Sequence, residues 1–372
     1  MSSQNATPGK NWHGKQAFRP SAELTESREL RRVDHGITHK ASPVEPSLVS
    51  LAEIEQAARL LASVAVRTPL VPVPRLHRDL LVKPESLQPT GSFKLRGAYT
   101  AISLSGPAAR EHGVIAHSSG KHGHAVAYAA ALLGVPAVVV VPSTTPKVKT
   151  AAIEYYGARL VTVAPTLEAR VAATEELVAR HGYILIPPFD DRRVIAGQGT
   201  AGLEIATDAP QADLVLVPIS GGGLISGIAT AIRACRPGTA VVGVEPELAA
   251  DARDSLRRGE RVGWPAADTQ RTIADALRVE RIGALPFAHI RELVANIVTV
   301  TEDEIRTAVR LLARHAGLVA EPGGAAAVAA WLYHTAELPA ARTPVAVLSG
   351  GNIDPALLAA ILAESDRPAL AG

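Results

Sequence analysis

Residues 83–98 read KPESLQPTGSFKLRGA, in which a turn sequence leads directly into a helical pattern. Thr90-Gly91-Ser92 predicts a turn and a helix cap, which places Lys94 in the first turn of the following helix. The helix dipole disfavours positive charge at this end, so it favours the neutral form of the amine. A neutral lysine amine suits a nucleophile or a Schiff base, which makes Lys94 a candidate catalytic residue.

Short apolar runs bounded by Gly or Pro alternate with longer amphipathic stretches on both sides of this segment. That alternation is typical of parallel strands joined by helices. The runs at 138–141 and 214–217 contain no polar residue, as expected where helices cover both faces of a sheet. The sequence therefore predicts an α/β fold of parallel-stranded sheets flanked by helices. The predicted strands occupy 113–117, 136–141, 159–163, 183–186, 213–217, 240–245, 296–300 and 344–348.

So many strands require two sheets, and we expect a chain of two lobes. A small domain is predicted at 85–185, and a large domain is predicted at 46–84 together with 186–372. Residues 1–45 are polar and lack periodic apolar positions, a composition that predicts a disordered extension. A helical pattern begins at Leu48.

The composition limits the classes of function. The 38 basic and 36 acidic residues are interspersed and leave a net charge of +2, so no broad field attracts nucleic acid or anionic lipid. The single cysteine, Cys235, excludes an intramolecular disulfide and favours a reducing compartment. No apolar run reaches the roughly 18 residues of a membrane span. We expect a cytoplasmic protein that acts on a small molecule, with no nucleic-acid or membrane partner.

Three further segments follow predicted strands. The first two precede predicted helices, and the third follows the last predicted strand. HSSGKHGH at 117–124 places small residues and hydroxyls at a turn, where backbone N–H groups can hold a carboxylate. SGGGL at 220–224 lets the backbone approach a ligand closely, and its spacing suits a monophosphate better than a dinucleotide. In SGGN at 349–352, Ser349 can donate a hydrogen bond to a heteroaromatic nitrogen.

Together these segments and TGSFKLRGA resemble the fold-type II pyridoxal-phosphate enzymes, in particular the threonine/serine dehydratase and serine racemase branch. The resemblance runs from about Leu48 to Leu362. It implies a two-lobed, tryptophan synthase beta-like fold, pyridoxal 5′-phosphate as cofactor, and a homodimer or homotetramer. It also implies a dehydratase (ammonia-lyase) that converts a small β-hydroxy amino acid, such as L-threonine or L-serine, to a 2-keto acid and ammonia. Further similar pieces lie at 189–191, 195–200, 272–275 and 321–324.

The resemblance assigns the cofactor contacts. Lys94 would form the covalent link to the cofactor, with Phe93 beside it. Ser349 would face the pyridine nitrogen, and Lys121 and Glu321 would also lie at the cofactor. The backbone that would hold the phosphate belongs to Ser220, Gly221, Gly222, Gly223 and Leu224.

It also assigns substrate and metal contacts. Ser118, Ser119 and His122 would bind the substrate carboxylate, and Ser119 would be a second proton donor or acceptor. A divalent cation would be bound by Glu245, Ala249 and Asp251. These oxygen ligands suit Mg²⁺ or Ca²⁺ rather than zinc.

Lys121 departs from the family pattern, because relatives have an asparagine that contacts the 3-oxygen of the cofactor at this position. A cation there would pair with the phenolate, or it would point away. Three alternatives therefore remain beside the dehydratase. They are an amino acid racemase on the same scaffold, a specialised β-elimination or β-replacement enzyme altered by Lys121, and a binding or regulatory protein that has lost its reaction.

Overall fold

The computed structural model describes residues 47–77, 79–118 and 120–365, and within them it contains two sheets flanked by helices. All eight predicted strands are present, with ends that differ by at most a residue or two. The predicted α/β fold is therefore confirmed. The strands are β1 Val71–Pro72, β2 Leu81–Pro84, β3 Val114–His117, β4 Ala137–Pro142, β5 Arg159–Val163, β6 Ile184–Leu185, β7 Leu214–Pro218, β8 Ala240–Pro246, β9 Asn296–Val300 and β10 Pro344–Leu348.

The larger sheet has six strands in the order β1-β2-β10-β7-β8-β9. Its strands are parallel except for β1, which pairs antiparallel with β2. The register places Val347 beside Lys83 and Ala346 beside Leu216. As a result, the carboxyl ends of β2, β7 and β10 lie at one edge of the sheet, which is where ligands of such sheets bind.

The sequence did not predict β1 and β2, and Lys83 explains why β2 was missed. A lysine in a short apolar run favours a surface position, but here it is fully buried. Its ammonium donates to the Thr68 carbonyl at 2.6 Å and to Glu204 at 2.5 Å. Those partners allow the strand to lie inside the sheet, and no local pattern encodes them because Glu204 is distant in sequence.

The smaller sheet has four parallel strands in the order β5-β4-β3-β6. All four come from 114–185, whereas the six-stranded sheet takes its strands from 71–84 and 214–348. This distribution is compatible with the expected small domain at 85–185, although the crossing points between domains stay a prediction. The extension expected at 1–45 lies outside the described residues.

Helices connect these strands and cover both sheets. The first, α1, begins with a capping box in which Ser50 and Glu53 bind each other's backbone N–H groups. The helices are α1 Leu51–Leu61, α2 Lys94–Leu104, α3 Gly106–His112, α4 Lys121–Leu133, α5 Lys147–Tyr155, α6 Leu167–His181, α7 Arg192–Asp208, α8 Gly223–Cys235, α9 Asp251–Arg258, α10 Ala266–Thr269, α11 Ala284–Leu293, α12 Glu302–Leu311, α13 Pro322–Tyr333 and α14 Pro355–Ala363. No helix in the described part of the chain is long and apolar enough to cross a bilayer.

The core explains the uninterrupted apolar strands. In β7, Leu214 and Leu216 pack on one face of the sheet with α12 and α13, whereas Val215 and Val217 pack on the other face with α7 and α8. A third apolar cluster lies between the four-stranded sheet, α2 and α4. Because α2 belongs to this cluster, the four-stranded sheet positions the helix on which Lys94 stands.

Candidate active site

Lys94 is the first residue of α2, as predicted, but the expected cap is absent. Phe93 occupies the N-cap position, no side chain caps the helix, and the buried Ser92 hydroxyl has no hydrogen-bond partner. The prediction that Thr90-Gly91-Ser92 caps α2 is therefore wrong. The segment is instead held by tertiary contacts, since Phe93 N donates to the Ser349 carbonyl at 3.2 Å and Ser92 bridges to Gly350.

The Lys94 amine lies where these segments meet. Its Nζ donates to the Pro188 carbonyl at 2.8 Å and lies 4.9 Å from the centre of the Phe93 ring. Although the residue keeps some exposure, burial of its amine and the nearby Lys121 ammonium lower the pKa of Lys94 to about 7, while Glu321 opposes the shift. A large fraction of this amine is therefore neutral near neutral pH, the form that reacts as a nucleophile.

The glycine-rich loop at 220–224 ends at the first turn of α8. A Cβ built on Gly221 would lie 2.1 Å from the Phe189 ring, so only glycine fits. Gly222 has a φ of +89°, a backbone conformation that residues other than glycine rarely adopt. The loop thus presents the N–H groups at the amino end of a 13-residue helix, an arrangement that binds phosphate.

Gln198 lies beside this loop with an unpaired amide. The residue is 1% exposed, and neither its oxygen nor its nitrogen has a hydrogen-bond partner. A Cβ on Gly223 would lie 2.6 Å from its Oε1, and one on Gly97 would lie 3.1 Å from its Nε2. Leaving such a group unpaired costs about 1–3 kcal/mol, so the site has unsatisfied polar capacity between α2 and α8.

The turn at 117–124 joins β3 to α4. Ser118 accepts a hydrogen bond from Gly120 N at 3.3 Å, and Ser119 lies outside the described residues. His122 is buried and its Nε2 lies 2.7 Å from the Ile186 carbonyl. Because a carbonyl only accepts, Nε2 carries the hydrogen and the unpartnered Nδ1 is an acceptor in the neutral ring. An acceptor does not bind a carboxylate, so only the backbone of His122 suits its predicted role.

Burial, and to a smaller extent the Lys94 charge, lower the pKa of His122 to about 3. Between the ordinary value of 6.5 and about 3, the unfolded chain binds a proton that the folded chain does not. Stability is therefore lost as the pH falls through this window, by about 2 kcal/mol at about pH 5. We expect His122→Asn to remove this part of the pH dependence, measured as free energy of unfolding against pH relative to the unmodified protein. Parallel curves for the two proteins would contradict the expectation.

Lys121 and Glu321 face each other across the site. The Lys121 ammonium lies 2.6 Å from Glu321 Oε2 and 3.5 Å from Asp275 Oδ1. Burial alone would lower the pKa of Lys121, but the Glu321 and Asp275 carboxylates outweigh it and hold the pKa above its ordinary value. Glu321 precedes α13, and a Cβ on Gly350 would lie 2.5 Å from its Oε1. Both residues therefore lie next to the segment that carries Ser349, which is buried just after β10.

Glu245 and Asp251 form a separate buried acidic pair. Glu245 accepts the backbone N–H groups of Ala252 and Arg253, and Asp251 accepts that of Ile282. Burial and the charge of Asp251 raise the pKa of Glu245, and burial raises the pKa of Asp251 to about 7. Ala249 is buried beside them. No group of three or more His, Cys, Asp or Glu side chains forms a metal site within the described ranges, so a cation here would depend on two carboxylates and backbone oxygen.

The structure brings Lys94, Phe93, Ser349, Glu321, Lys121 and the glycine loop together. Sequence reasoning missed the Pro188 carbonyl, the Gln198 amide and the two charged residues Asp275 and Lys149, whose Nζ lies 3.5 Å from Asp275. The segments around Gln198 and Asp275 are among the family-like pieces of the sequence, and that likeness was the available signal. Lys149 has no signal in its local sequence.

Comparison with known proteins matches residues 61–350 to the family described as "Pyridoxal-phosphate dependent enzyme". The chain is 41% identical to the L-threo-3-hydroxyaspartate ammonia-lyase of Saccharomyces cerevisiae, over 75% of this chain and 85% of that one. It is 38% identical to the serine racemase of Mus musculus, over 86% of this chain and 96% of that one. The crystal structure of a T.th. threonine deaminase superposes with a TM-score of 0.77 at 43% identity, covering 82% of this chain and 99% of that one.

Proposed function

Because the chain belongs to the family of pyridoxal-phosphate dependent enzymes, we propose that it removes water and then ammonia from a small β-hydroxy amino acid such as L-threonine or L-serine. The observation that carries this proposal is the Lys94 amine. It lies at the amino end of α2, with a pKa of about 7, beside the segment that carries Ser349. Relatives named as ammonia-lyases and a threonine deaminase support the choice of reaction.

The residues present fit the cofactor. The amides of 220–224 suit its phosphate, the unpaired amide of Gln198 adds polar capacity beside them, and Ser349 suits its ring nitrogen. When bound, the cofactor supplies an aldehyde for a covalent link to Lys94 and an acceptor for the electrons of a broken bond to Cα. Phe93 packs beside the amine.

The chain's own groups then bind the substrate and move protons. The backbone of the 118–122 turn and the Ser118 and Ser119 hydroxyls are proposed to bind the substrate carboxylate. The Lys94 amine would be freed when the substrate's amino group replaces it on the cofactor aldehyde, and it would then take the proton from Cα as a general base. The His122 Nδ1 acceptor suits the hydroxyl group of the substrate rather than its carboxylate.

The direct test is turnover by the cofactor-loaded protein. Each assay contains one of four substrates: L-threonine, L-serine, L-threo-3-hydroxyaspartate or phenylserine. The 2-keto acid and ammonia are both measured, and the two should form in equal amounts. Formation of both from at least one substrate is expected. Absence of both from every substrate, in protein that carries the cofactor, would refute the proposal.

A serine racemase is the second candidate, since the mouse enzyme matches over nearly its full length. A racemase needs a proton donor on the face of Cα opposite Lys94, a role that the resemblance gives to Ser119. Incubation with L-serine separates the two functions. Pyruvate in excess of D-serine supports the lyase, and D-serine in excess supports the racemase.

The acidic pair is proposed to bind a divalent cation together with the Ala249 carbonyl. Glu245 and Asp251 are buried, and burial without a cation raises both pKa values. Oxygen ligands of this kind suit Mg²⁺ or Ca²⁺. The site is proposed to stabilise the fold around α9, because the two carboxylates receive the N–H groups of this helix and of Ile282.

We expect Mg²⁺ or Ca²⁺ to raise the free energy of unfolding of chelator-treated protein, by about 3 kcal/mol when the free ion is at a hundredfold excess over its Kd. Thermal unfolding with and without each ion measures this effect. Glu245→Gln is the matched control and should lose the response. Identical unfolding curves with and without either ion would contradict the proposal.

The remaining parts of the proposal concern the oligomeric state and the cellular location. We propose a homodimer or homotetramer, which sedimentation would measure, and a cytoplasmic location. The single cysteine supports a reducing compartment.

A further inference from the structure

Four charged side chains form a row of ion pairs that joins segments of the two sheets. Lys121 and Lys149 stand on α4 and α5, which flank the four-stranded sheet. Glu321 and Asp275 belong to segments that pack on the six-stranded sheet. The order is Glu321, Lys121, Asp275, Lys149, with N–O distances of 2.6, 3.5 and 3.5 Å. We call this row the inter-sheet ion row.

Its inner end is buried and its outer end is exposed. The side chain of Glu321 is 2% exposed and that of Lys121 is 16%, whereas Asp275 and Lys149 are each 45% exposed. An exposed pair contributes little, but a charge buried in a pair becomes costly when its partner is removed. Of the three ion pairs, the Lys121–Glu321 pair is therefore the one whose loss would be costly to the fold.

Glu321 has a fixed place next to the proposed cofactor contacts. Its backbone N–H donates to the Gly350 carbonyl at 3.1 Å, and its Oε1 occupies the space where a Gly350 side chain would lie. The other oxygen, Oε2, points to the Lys121 ammonium. Lys121 thus determines where the carboxylate of Glu321 points and neutralises its charge.

Lys121 also acts on Lys94, which begins α2, the helix that packs against α4. The charged or titratable groups that face the Lys94 amine are Lys121, Glu321 and the neutral ring of His122. Lys121 disfavours the protonated form of Lys94, and Glu321 favours it. An uncharged residue at position 121 would remove the repelling charge, so the Lys94 amine would bind a proton at a higher pH, while burial would still lower its pKa.

We propose that Lys121 is a positioning residue, which fixes the Glu321 carboxylate beside Ser349 and keeps a positive charge next to the Lys94 amine. Its catalytic meaning rests on the proposed ammonia-lyase function, but its effect on Lys94 does not require turnover. The lysine that departs from the family pattern is thereby paired with a carboxylate at the start of α13, which packs on the other sheet. Asparagine at this position would lack the charge that the buried Glu321 pairs with.

The test compares Lys121→Met and Lys121→Arg with Lys149→Met. The Lys149 variant breaks only the exposed Asp275–Lys149 ion pair. Two readouts are used in the full-length protein. The first is the pH dependence of the absorbance of the protein-bound cofactor. The second is the pH dependence of reductive methylation of Lys94 after release of the cofactor, followed by peptide mass spectrometry. Circular dichroism monitors folding, and Lys121→Gln replaces the methionine variant if that variant does not fold.

We expect the midpoint of Lys94 methylation to move up by about one pH unit in Lys121→Met, because the charge that repels the protonated amine is lost. The cofactor absorbance should show a changed pH profile in the same variant. Lys121→Arg should restore the normal midpoint, and Lys149→Met should leave it unchanged. An unchanged midpoint in Lys121→Met, or an equal shift in Lys149→Met, would overturn the proposal. If the midpoint moves as expected but no substrate is turned over, only the proposed function fails.

Discussion

Replacing Lys94 with alanine should lower kcat/KM by at least ~10³-fold, because one change removes both the group that links to the cofactor and the proposed general base. The substitution should leave the fold intact, since α2 needs no side chain at its first position and the amine makes a single hydrogen bond to the Pro188 carbonyl. Keto-acid formation and cofactor absorbance measure the two effects. Borohydride treatment with peptide mapping should find cofactor on residue 94 only in the unmodified protein.

The matched control is Lys147→Ala, which removes an exposed lysine at the first position of α5. This variant should retain turnover and the same absorbance. Reduced cofactor found on any other lysine of the unmodified protein would show that residue 94 is not the site of attachment.

Replacing Arg96 with methionine should destabilise the protein by about 3–5 kcal/mol, the cost of leaving buried charges without their partner. Its guanidinium donates to Glu85 at 2.7 and 2.9 Å and to Glu204 at 2.7 Å, and the arginine itself is 1% exposed. Lys83 joins the same cluster through Glu204. Because Arg96 lies two residues after Lys94, the cluster also fixes the start of α2 against β2 and α7. Denaturant unfolding measures the loss.

Arg67→Met provides the control for a surface pair. Arg67 binds Asp208 and is 59% exposed, so its loss should change stability by less than about 1 kcal/mol. A second variant, Arg96→Met with Glu85→Gln, should recover part of the loss because one uncompensated charge is removed. If Arg96→Met were no more destabilising than Arg67→Met, the buried cluster would not stabilise α2.

The central strands of both sheets could be predicted from the sequence because their apolar runs are continuous. Runs such as 214–217 belong to strands covered on both faces, and burial on both faces leaves no place for polar residues. The β2 strand escaped prediction because its buried lysine is paired with Glu204 on α7. The failed cap at Thr90-Gly91-Ser92 has a similar origin, since Ser92 meets Gly350 from the far end of the chain.

The candidate site was only partly predictable for the same reason. Lys94 and the glycine loop are encoded locally, by a turn before a helix and by three consecutive glycines. Gln198 and Asp275 gain their meaning from neighbours on other elements, Gly223 and Lys121 respectively. The tautomer of His122 also depends on a tertiary contact, because the ring nitrogen that faces the Ile186 carbonyl carries the hydrogen.

The α/β class, the central strands, the lysine at the start of α2 and the glycine-rich loop all follow from the order of residues alone. These features depend on periodicity and backbone freedom, which act within a few residues. Three others arise only when the chain is folded: the pairing of Lys121 with Glu321, the burial of Arg96 and Lys83 with their carboxylates, and the lowered pKa of the Lys94 amine. Charges and burial act through space, so residues far apart in the chain set the chemistry of each site.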